Sequence, residues 1–336
     1  VWEIDMSGSV AQLWRFPVKS MGGTLVDELR IDRRGVHADR LWAVRDLEGN
    51  ITASARRAPA LLGCSARYAI DPGPDAGPGN APDVIVTMPD GIEISSAGTD
   101  LDSRLSELLG REVQLTALPP RDDTSLHRLS VRQTRANYSP TEVRRDFGLS
   151  SSETLPDTSV FSTKQVLTLA RYATPPGTFV DLSPVHVLST SSLATLSAGA
   201  ATGSAPYDVR RFRPNVLVAL DETGDGYPEA GWVGSDVEIG SVALRITNQT
   251  IRCVVPTRPQ PGLERDRALT RRLAEGNQRF LGVYADVDTA GVVRVGDAVR
   301  VHESAPPSRL QEAAAAAGRA MMRQVQRVLE VTVLRE

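Results

Sequence analysis

The chain has 336 residues, a formal net charge of −3 and an isoelectric point near 5.9. This balance argues against a nucleic-acid-binding protein, which usually carries a basic excess. Hydrophobic residues make up 41% and charged residues 24% of the sequence, as in globular proteins long enough for two domains. No apolar run reaches the ~20 residues that span a bilayer, and no charged-then-apolar leader is present. We therefore expect neither nucleic acid nor a membrane among its partners.

The first part of the chain is typical of a small all-β domain. It predicts short strands at residues 10–19, 24–31, 40–45 and 84–88. Gly and Pro turns separate these strands, and this spacing indicates a β-barrel-like domain over residues 8–118. The apolar spacing of residues 100–109, with Gly110 after it, predicts a short helix before a strand at 111–118.

Residues 119–155 are polar and rich in arginine, and they show no sustained period. We expect a linker, or a partly ordered excursion, between two domains. Residues 156–303 then return to a β-rich pattern. Strands are predicted at 183–188, 214–220, 237–246, 282–286 and 292–301. Helices are predicted at 191–197, after Ser189 or Thr190 as the cap, and at 267–275 between Asp266 and Gly276. The expected class is a mixed, β-rich α+β fold.

The C-terminal segment has a different composition. Residues 308–331 are rich in alanine, and their apolar residues recur at helical steps, which predicts an amphipathic helix with a narrow seam. Such a seam packs on its own domain or coils with the same seam of a second copy. A homodimer through this helix is therefore one of two expectations.

Several familiar catalytic sites are absent from the sequence. It contains no Walker-type phosphate loop, no GxSxG elbow and no HExxH motif. The four histidines, His37, His127, His186 and His302, have no zinc-ligand spacing to each other or to the cysteines. The cysteines and the arginines therefore remain as candidates for a catalytic or binding site.

The chain has two cysteines, Cys64 and Cys253, too few for a disulfide framework, so we expect a reducing, cytoplasmic location. A lone cysteine can be a small buried hydrophobe, and we interpret Cys64 in this way because no charge adjoins it. Cys253 follows Arg252, and a neighbouring cation favours the thiolate. A thiolate ligates soft metals or carries a sulfur atom. Both interpretations of Cys253 stay open at this point.

Two groups of potential anion donors stand at the ends of predicted strands. Guanidinium groups match the oxygens of carboxylate and phosphate, although either group could also be a solvated charged surface. The first group is Arg210, Arg211 and Arg213, followed by Pro214-Asn215. The second group is Lys19, Ser20 and Arg40.

Two ordered sets of residues resemble a known pair of domains. Residues 16–20 (Phe-Pro-Val-Lys-Ser) and 35–42 (Gly-Val-His-Ala-Asp-Arg-Leu-Trp) resemble the N-terminal β-barrel domain that accompanies MOSC domains. The second set resembles the MOSC domain itself and follows the family's order: Arg211-Phe212-Arg213-Pro214-Asn215, Trp232, Ile239-Gly240, Arg252-Cys253 and Gly296-Asp297-Ala298-Val299. The resemblance covers residues 10–301. The family includes the mitochondrial amidoxime reducing component and its bacterial relatives.

The resemblance implies a molybdenum cofactor (molybdopterin) held between the two domains, with Cys253 as the metal ligand. Asp181 resembles an acidic residue near the metal and is a candidate proton relay, although it could also be a turn residue before a strand. Leu182 and Ile251 depart from the small or hydroxyl residues that relatives often place there. The cofactor-binding positions that the resemblance implies are Lys19, Ser20, Arg40, Arg56, Ser183, Arg211, Arg213, Asn215 and Arg252.

The resemblance also implies an activity, namely the reduction of N-hydroxylated (N–OH or N-oxide) small molecules. Some bacterial relatives carry a ferredoxin-like domain with four cysteines, and this chain lacks such a domain. We therefore expect no iron–sulfur cluster in this chain and a separate electron-donor protein of the ferredoxin or flavoprotein type. The alternative is a sulfurtransferase that carries a persulfide on Cys253.

Overall fold

The computed structural model describes residues 6–150, 153, 156–199, 206–221 and 226–302. Its strands are β1 (Met6–Arg15), β2 (Thr24–Val26), β3 (Glu28–Asp32), β4 (Gly35–Val36), β5 (Trp42–Asp46), β6 (Ile51–Thr52), β7 (Ser65–Tyr68), β8 (Val84–Thr87), β9 (Glu93–Ser95), β10 (Val113–Ala117), β11 (Val185–Ser189), β12 (Val216–Leu220), β13 (Asp236–Ile239), β14 (Val242–Ile251), β15 (Phe280–Thr289), β16 (Gly291–Arg294) and β17 (Ala298–His302). Its α-helices are α1 (Leu101–Leu109), α2 (Val131–Asn137), α3 (Pro140–Phe147), α4 (Thr163–Arg171), α5 (Thr190–Ala198) and α6 (Leu269–Asn277). The β-rich α+β class is confirmed.

A closed barrel forms the larger part of the fold. Its strand order is β12-β11-β15-β14-β13-β17-β1, and a pairing between β12 and β1 closes it. Gly8 of β1 lies opposite Val299 on one side and Leu220 on the other. A strand from the start of the chain therefore completes a barrel whose other strands lie between residues 185 and 302.

Strand β1 lies in the barrel, although most of its residues fall within the predicted N-terminal domain, 8–118. The physical reason is burial: Val10 and Leu13 are 2% and 0% exposed, and they join the apolar core of the barrel. Strand β3 also connects the two parts of the chain, because it pairs with β16, which lies near the end of the described residues. The two halves of the sequence are thus joined by strand pairing as well as by side-chain contacts.

The rest of the N-terminal part forms small sheets, β10-β5-β6 and β7-β8-β9, around a second apolar core. Helix α1 packs there and ends at Gly110, whose φ of 64° is in the left-handed region that favours glycine. Cys64 is 0% exposed in this core, and burial raises the pKa of its thiol to about 12. The interpretation of Cys64 as a core residue is confirmed.

The described part of residues 119–155, where we expect a linker or a partly ordered excursion, contains two short helices. Ser130 caps α2 and exchanges hydrogen bonds with Gln133, while Ser139 caps α3 immediately before Pro140. Helices of seven and eight residues are too short to show a clear hydrophobic period, so their caps are the stronger signal. The predicted domain limits stay predictions.

Helix α5 begins after Ser189, whose hydroxyl accepts a hydrogen bond from the Ser192 amide at 3.0 Å, and Ser189 is therefore the cap. Helix α6 starts two residues later than predicted, at Leu269. The predicted helix at 308–331 lies outside the described residues. Among the described residues, no helix combines the length and the apolar character needed to cross a membrane.

The closure of the barrel by β1 can be tested with Leu13→Ala. We expect this change to lower the free energy of unfolding by about 2–5 kcal/mol, because it empties a fully buried position. The matched control is Leu25→Ala on the neighbouring strand β2, where the side chain is 57% exposed and the expected change is within about 0.5 kcal/mol. Equal effects of the two substitutions in urea unfolding would contradict the placement of β1.

Candidate functional site

Cys253 lies in the turn that follows β14. The amide of its neighbour Arg252 donates to the Arg279 carbonyl at 2.8 Å, and the Val254 amide donates to the Asp146 carbonyl at 2.9 Å. The Cys253 side chain is half-buried and packs against an apolar cluster that contains Ala55. Its sulfur therefore lies where the N-terminal part of the chain meets the barrel, and it is not enclosed by apolar packing.

Arg252 carries a buried guanidinium group. The side chain is 8% exposed, and its Nη2 donates to the Phe212 carbonyl at 2.8 Å. Its Nε is buried without a hydrogen-bond partner among the described residues. Burial lowers the pKa of Arg252, which shows that this cation is not fully compensated by its surroundings.

Arg213 is a second buried guanidinium that is short of partners. Its Nη1 donates to the Met21 carbonyl, and its guanidinium carbon lies 4.4 Å from the ring centre of Phe16. Its Nη2 has no partner in the described part of the chain. Burial, and then the charge of Arg40, lower the pKa of Arg213 to about 9, so the group is still charged at neutral pH. A buried cation with a free N–H group is a binding point for an anion.

His186 lies between these two arginines. Its Nε2 is 3.4 Å from Arg252 Nη1, and its Nδ1 is 3.4 Å from the Arg213 carbonyl. Because arginine only donates, Nε2 is the acceptor and Nδ1 carries the proton. Burial and the charge of Arg252 lower the pKa of His186 well below its usual value, so the imidazole is neutral.

Tyr284 packs against the His186 ring, with 5.5 Å between the two ring centres. Burial, and then the charge of Asp181, raise the pKa of Tyr284 to about 12, so its phenol keeps its proton. Sequence reasoning missed both Tyr284 and His186. The sequence offers no signal for either, because their roles depend on contacts between distant strands.

The opposite wall carries Lys19 and Asp181. The Nζ of Lys19 donates to the Phe179 carbonyl at 3.0 Å and to the Asp181 carboxylate. Lys19 is 5% exposed, whereas the Asp181 side chain is 69% exposed and faces the open side of the cleft. Burial lowers the pKa of Lys19, and the pairing with Asp181 only partly offsets this.

Asp181 is held in its ionised form. Partial desolvation raises the pKa of its carboxyl group, although most of the side chain is exposed, but the charges of Lys19 and Arg56 outweigh this and bring that pKa below its usual value. Arg56 shows the reciprocal effect: desolvation lowers its pKa, but the charges of Asp181 and Cys253 outweigh desolvation and raise that pKa above its usual value. At neutral pH Asp181 therefore accepts hydrogen bonds and is a poor proton donor.

Asp39 connects the two parts of the chain at the base of the cleft. Its carboxylate accepts a hydrogen bond from the Phe16 amide at 2.7 Å, forms an ion pair with Arg40, and accepts from Asn215 Nδ2 at 3.2 Å. It is 7% exposed. Sequence reasoning treated Asp39 only as the start of a strand, although it lies within a quoted motif.

Two predicted cofactor-binding residues have other contacts here. Asn215 is 1% exposed; its Oδ1 accepts from the His186 amide at 3.2 Å, and its Nδ2 donates to Asp39 and to the Trp14 carbonyl. Its side-chain amide joins β1 to the barrel, and the predicted contact of Asn215 with the pterin stays a prediction. Arg211 likewise donates to main-chain carbonyls, those of Pro256, Arg258 and Glu264. It positions the loop after Cys253.

Three predicted site residues have an unusual backbone. Ser20, Arg40 and Arg213 adopt φ values of 72°, 53° and 57°, in the left-handed region that is uncommon for residues other than glycine. Such conformations persist where the surroundings fix them, often at binding sites. The hydroxyl of Ser20 accepts from the Ala55 amide at 2.9 Å, which secures one side of the cleft.

The described chain also has a groove with a volume of about 1020 Å³. Leu182 and Ser183, which follow Asp181 in the sequence, line one side of it, and residues 247–249 of β14 line another. Ser183 is 7% exposed. The groove is large enough for a small molecule.

Two parts of the chain match known domain families. Residues 175–300 match the family model described as MOSC domain, and residues 7–125 match the MOSC N-terminal beta barrel domain. The chain therefore contains a MOSC domain and a MOSC N-terminal beta barrel domain. Asp181, Arg213 and Cys253 fall in the first match, whereas Lys19 and Arg40 fall in the second.

Curated relatives share similarity over most of their length. The mitochondrial amidoxime-reducing component 1 of Mus musculus is 27% identical over 328 residues, with 88% of this chain and 83% of that protein covered. The mitochondrial amidoxime reducing component 2 of Rattus norvegicus is 24% identical, with 88% and 84% covered. Among solved structures, the YUAD protein from Bacillus subtilis has 14% identity and a TM-score of 0.41, covers 91% of this chain and 100% of its own, and is too distant to carry an argument.

The Asp39 connection can be tested with Asp39→Ala. We expect a loss of about 3–5 kcal/mol in the free energy of unfolding, because the change leaves the buried Phe16 amide and the Arg40 guanidinium without their acceptor. The control is Asp71→Ala. The Asp71 side chain is 89% exposed in its ion pair with Arg15, so this change should lower the free energy of unfolding by less than about 1 kcal/mol. Similar losses for the two variants in chemical denaturation would show that Asp39 does not join the two parts.

Proposed function

We propose that the chain is a molybdenum-cofactor-dependent oxidoreductase that reduces N-hydroxylated compounds, with the cofactor between its two parts and Cys253 as the metal ligand. One observation carries the proposal: Arg213 Nη2 and Arg252 Nε are buried and unpartnered among the described residues. The two guanidinium groups lie within electrostatic range of each other, and Arg252 directly precedes Cys253 in the sequence. A site of this kind fits an anionic group, and molybdopterin carries a phosphate.

The donor set fits this cofactor in two respects. A half-buried cysteine with Arg56, Arg252 and Arg258 in electrostatic range suits a thiolate ligand. Lys19 and Arg213, together with Arg40 and Arg252, supply cations for a phosphate. Bound there, the molybdenum cofactor would supply the two-electron chemistry of the reaction.

The protein's own residues would bind the substrate and handle its protons. Reduction of an N–OH group consumes two electrons and two protons, breaks the N–O bond and releases water. Asp181, held ionised by Lys19, would accept a hydrogen bond from the N–OH group or receive a proton. Tyr284, which keeps its proton, would serve as a hydrogen-bond donor. The groove beside Leu182 and Ser183 would admit the small-molecule substrate.

The anion-binding role of Arg213 predicts a loss of cofactor in Arg213→Ala. The change removes a charge-assisted hydrogen bond worth about 1.5–3 kcal/mol, so the dissociation constant for the cofactor should rise roughly ten-fold or more. Arg210→Ala is the matched control, since Arg210 is bonded to Asp208 and to the Pro261 carbonyl. Equal pterin contents in the two purified variants would show that Arg213 does not bind the cofactor.

The catalytic role of Cys253 predicts that Cys253→Ala no longer reduces benzamidoxime with reduced methyl viologen as the electron donor. Loss of a metal ligand should lower the turnover by more than about 100-fold. The control is Cys64→Ala, which removes the other thiol from a separate apolar core and should leave turnover close to that of the unchanged protein. Turnover that survives in Cys253→Ala, or is absent from the unchanged protein, argues against the proposed function.

A second candidate function is sulfur transfer through a persulfide on Cys253. The observation that favours it is the accessibility of this thiol beside the cations Arg56 and Arg252, which would stabilise an anionic persulfide. Cyanide-labile sulfur on Cys253 in protein free of metal and pterin would support this candidate. The relatives' names place them in mitochondria, and the cytoplasmic location of this chain stays a prediction.

A further inference from the structure

Three arginines converge on the turn that follows Cys253. We name them the arginine rim: Arg145, Arg258 and Arg265. Arg258 lies five residues after Cys253, at the end of the 3₁₀ turn Val255–Thr257. The other two are brought to this turn by main-chain contacts.

Arg145 belongs to helix α3, and the next residue, Asp146, accepts a hydrogen bond from the Val254 amide at 2.9 Å. Arg265 precedes Asp266, whose amide donates to the Thr257 carbonyl at 3.1 Å. Each of these two arginines is therefore one residue away from a hydrogen bond to the segment that follows Cys253. Helix α3 and the loop that contains Arg258 and Arg265 therefore meet at the turn after Cys253.

The loop that carries two members of the rim is held rigidly. Arg211 binds the carbonyls of Arg258 and Glu264, and Gln260 and Leu263 exchange main-chain hydrogen bonds at 2.8–3.0 Å. These contacts fix both ends of the loop. The main chain that carries Arg258 and Arg265 is therefore held in place.

The rim is positively charged and accessible. The Arg145 side chain is 49% exposed and pairs with Glu142, Arg265 is exposed, and Arg258 is half-buried with its Nε unpartnered among the described residues. Burial lowers the pKa of Arg258, and the charges of Arg265 and Arg145 lower it further. The three cations are therefore within electrostatic range of one another, on a chain whose net charge is −3.

We propose that the arginine rim is the docking surface for an acidic electron-transfer protein that delivers electrons to the metal at Cys253. This proposal rests on the proposed function. The exposure of Arg145 and Arg265 favours a macromolecular partner, because the anionic cofactor already has buried cations. Two partner molecules would each give one electron and become oxidised. With two protons from solvent, these electrons convert N–OH into N–H and water. Complementary charge would speed the encounter and orient it.

The test compares two electron donors on the protein loaded with molybdenum cofactor. The probe is reduced plant-type ferredoxin, a small acidic protein, and the reference donor is the reduced methyl viologen cation. In the double variant Arg145→Gln, Arg265→Gln, the rate with ferredoxin at low salt should fall about ten-fold, and its dependence on salt should weaken. The rate with viologen and the molybdenum content should not change.

The matched control is Arg300→Gln, an exposed arginine on β17 that lies outside the rim and should not change either rate. A double variant that keeps the full ferredoxin rate overturns the docking proposal. So does a double variant that loses both rates together with molybdenum, since the rim would then hold the cofactor. If the protein without substitutions shows no turnover with reduced methyl viologen, the proposed function is wrong instead. Binding of oxidised ferredoxin, measured by calorimetry at low salt, should weaken only in the double variant.

Discussion

The structure depends on a surplus of buried positive charge where the two parts of the chain meet. Lys19, Arg40, Arg213 and Arg252 converge there, while the carboxylates that face them are Asp39 and Asp181. Buried charges are costly unless they are paired. An anion bound in this cleft would compensate the excess of buried positive charge. The same excess that is costly to bury would therefore bind a phosphate tightly.

The way in which the barrel closes explains why the site can be held across two parts of the sequence. Strand β1 lies between β17 and β12, and the motif with Phe16 and Lys19 follows directly after it. Asn215, immediately before β12, donates to Asp39 and to the main chain of β1. The residues of the two walls are therefore fixed to one framework, which limits relative movement between the cations and Cys253.

Much of this architecture could be predicted from the sequence. The ordered motifs indicate both domains, and the predicted residues Lys19, Asp181, Arg213 and Cys253 lie around one cleft or within electrostatic range of each other. The position of β1 could not be predicted, because its partners lie about 200 residues further along the chain and no local pattern identifies them. The caps of α2 and α3 were present in the sequence, but the helices are too short for a period to reveal them.

Individual side-chain roles were the least predictable part. Arg211 and Arg213 are two residues apart and of the same type, yet one binds main-chain carbonyls and the other retains a free N–H group. Nothing in their spacing separates them, because the difference comes from which loops fold over each. Asp39, His186 and Tyr284 were missed for the same reason, since each acts through contacts with distant elements.

We propose that this charged cleft and Cys253 together hold a molybdenum cofactor. The most direct measurement is the content of molybdenum and pterin in the full chain, purified from a host that makes the cofactor. We expect close to one molybdenum and one pterin per chain. A content far below one for both, in folded protein from a host with ample cofactor, would contradict it.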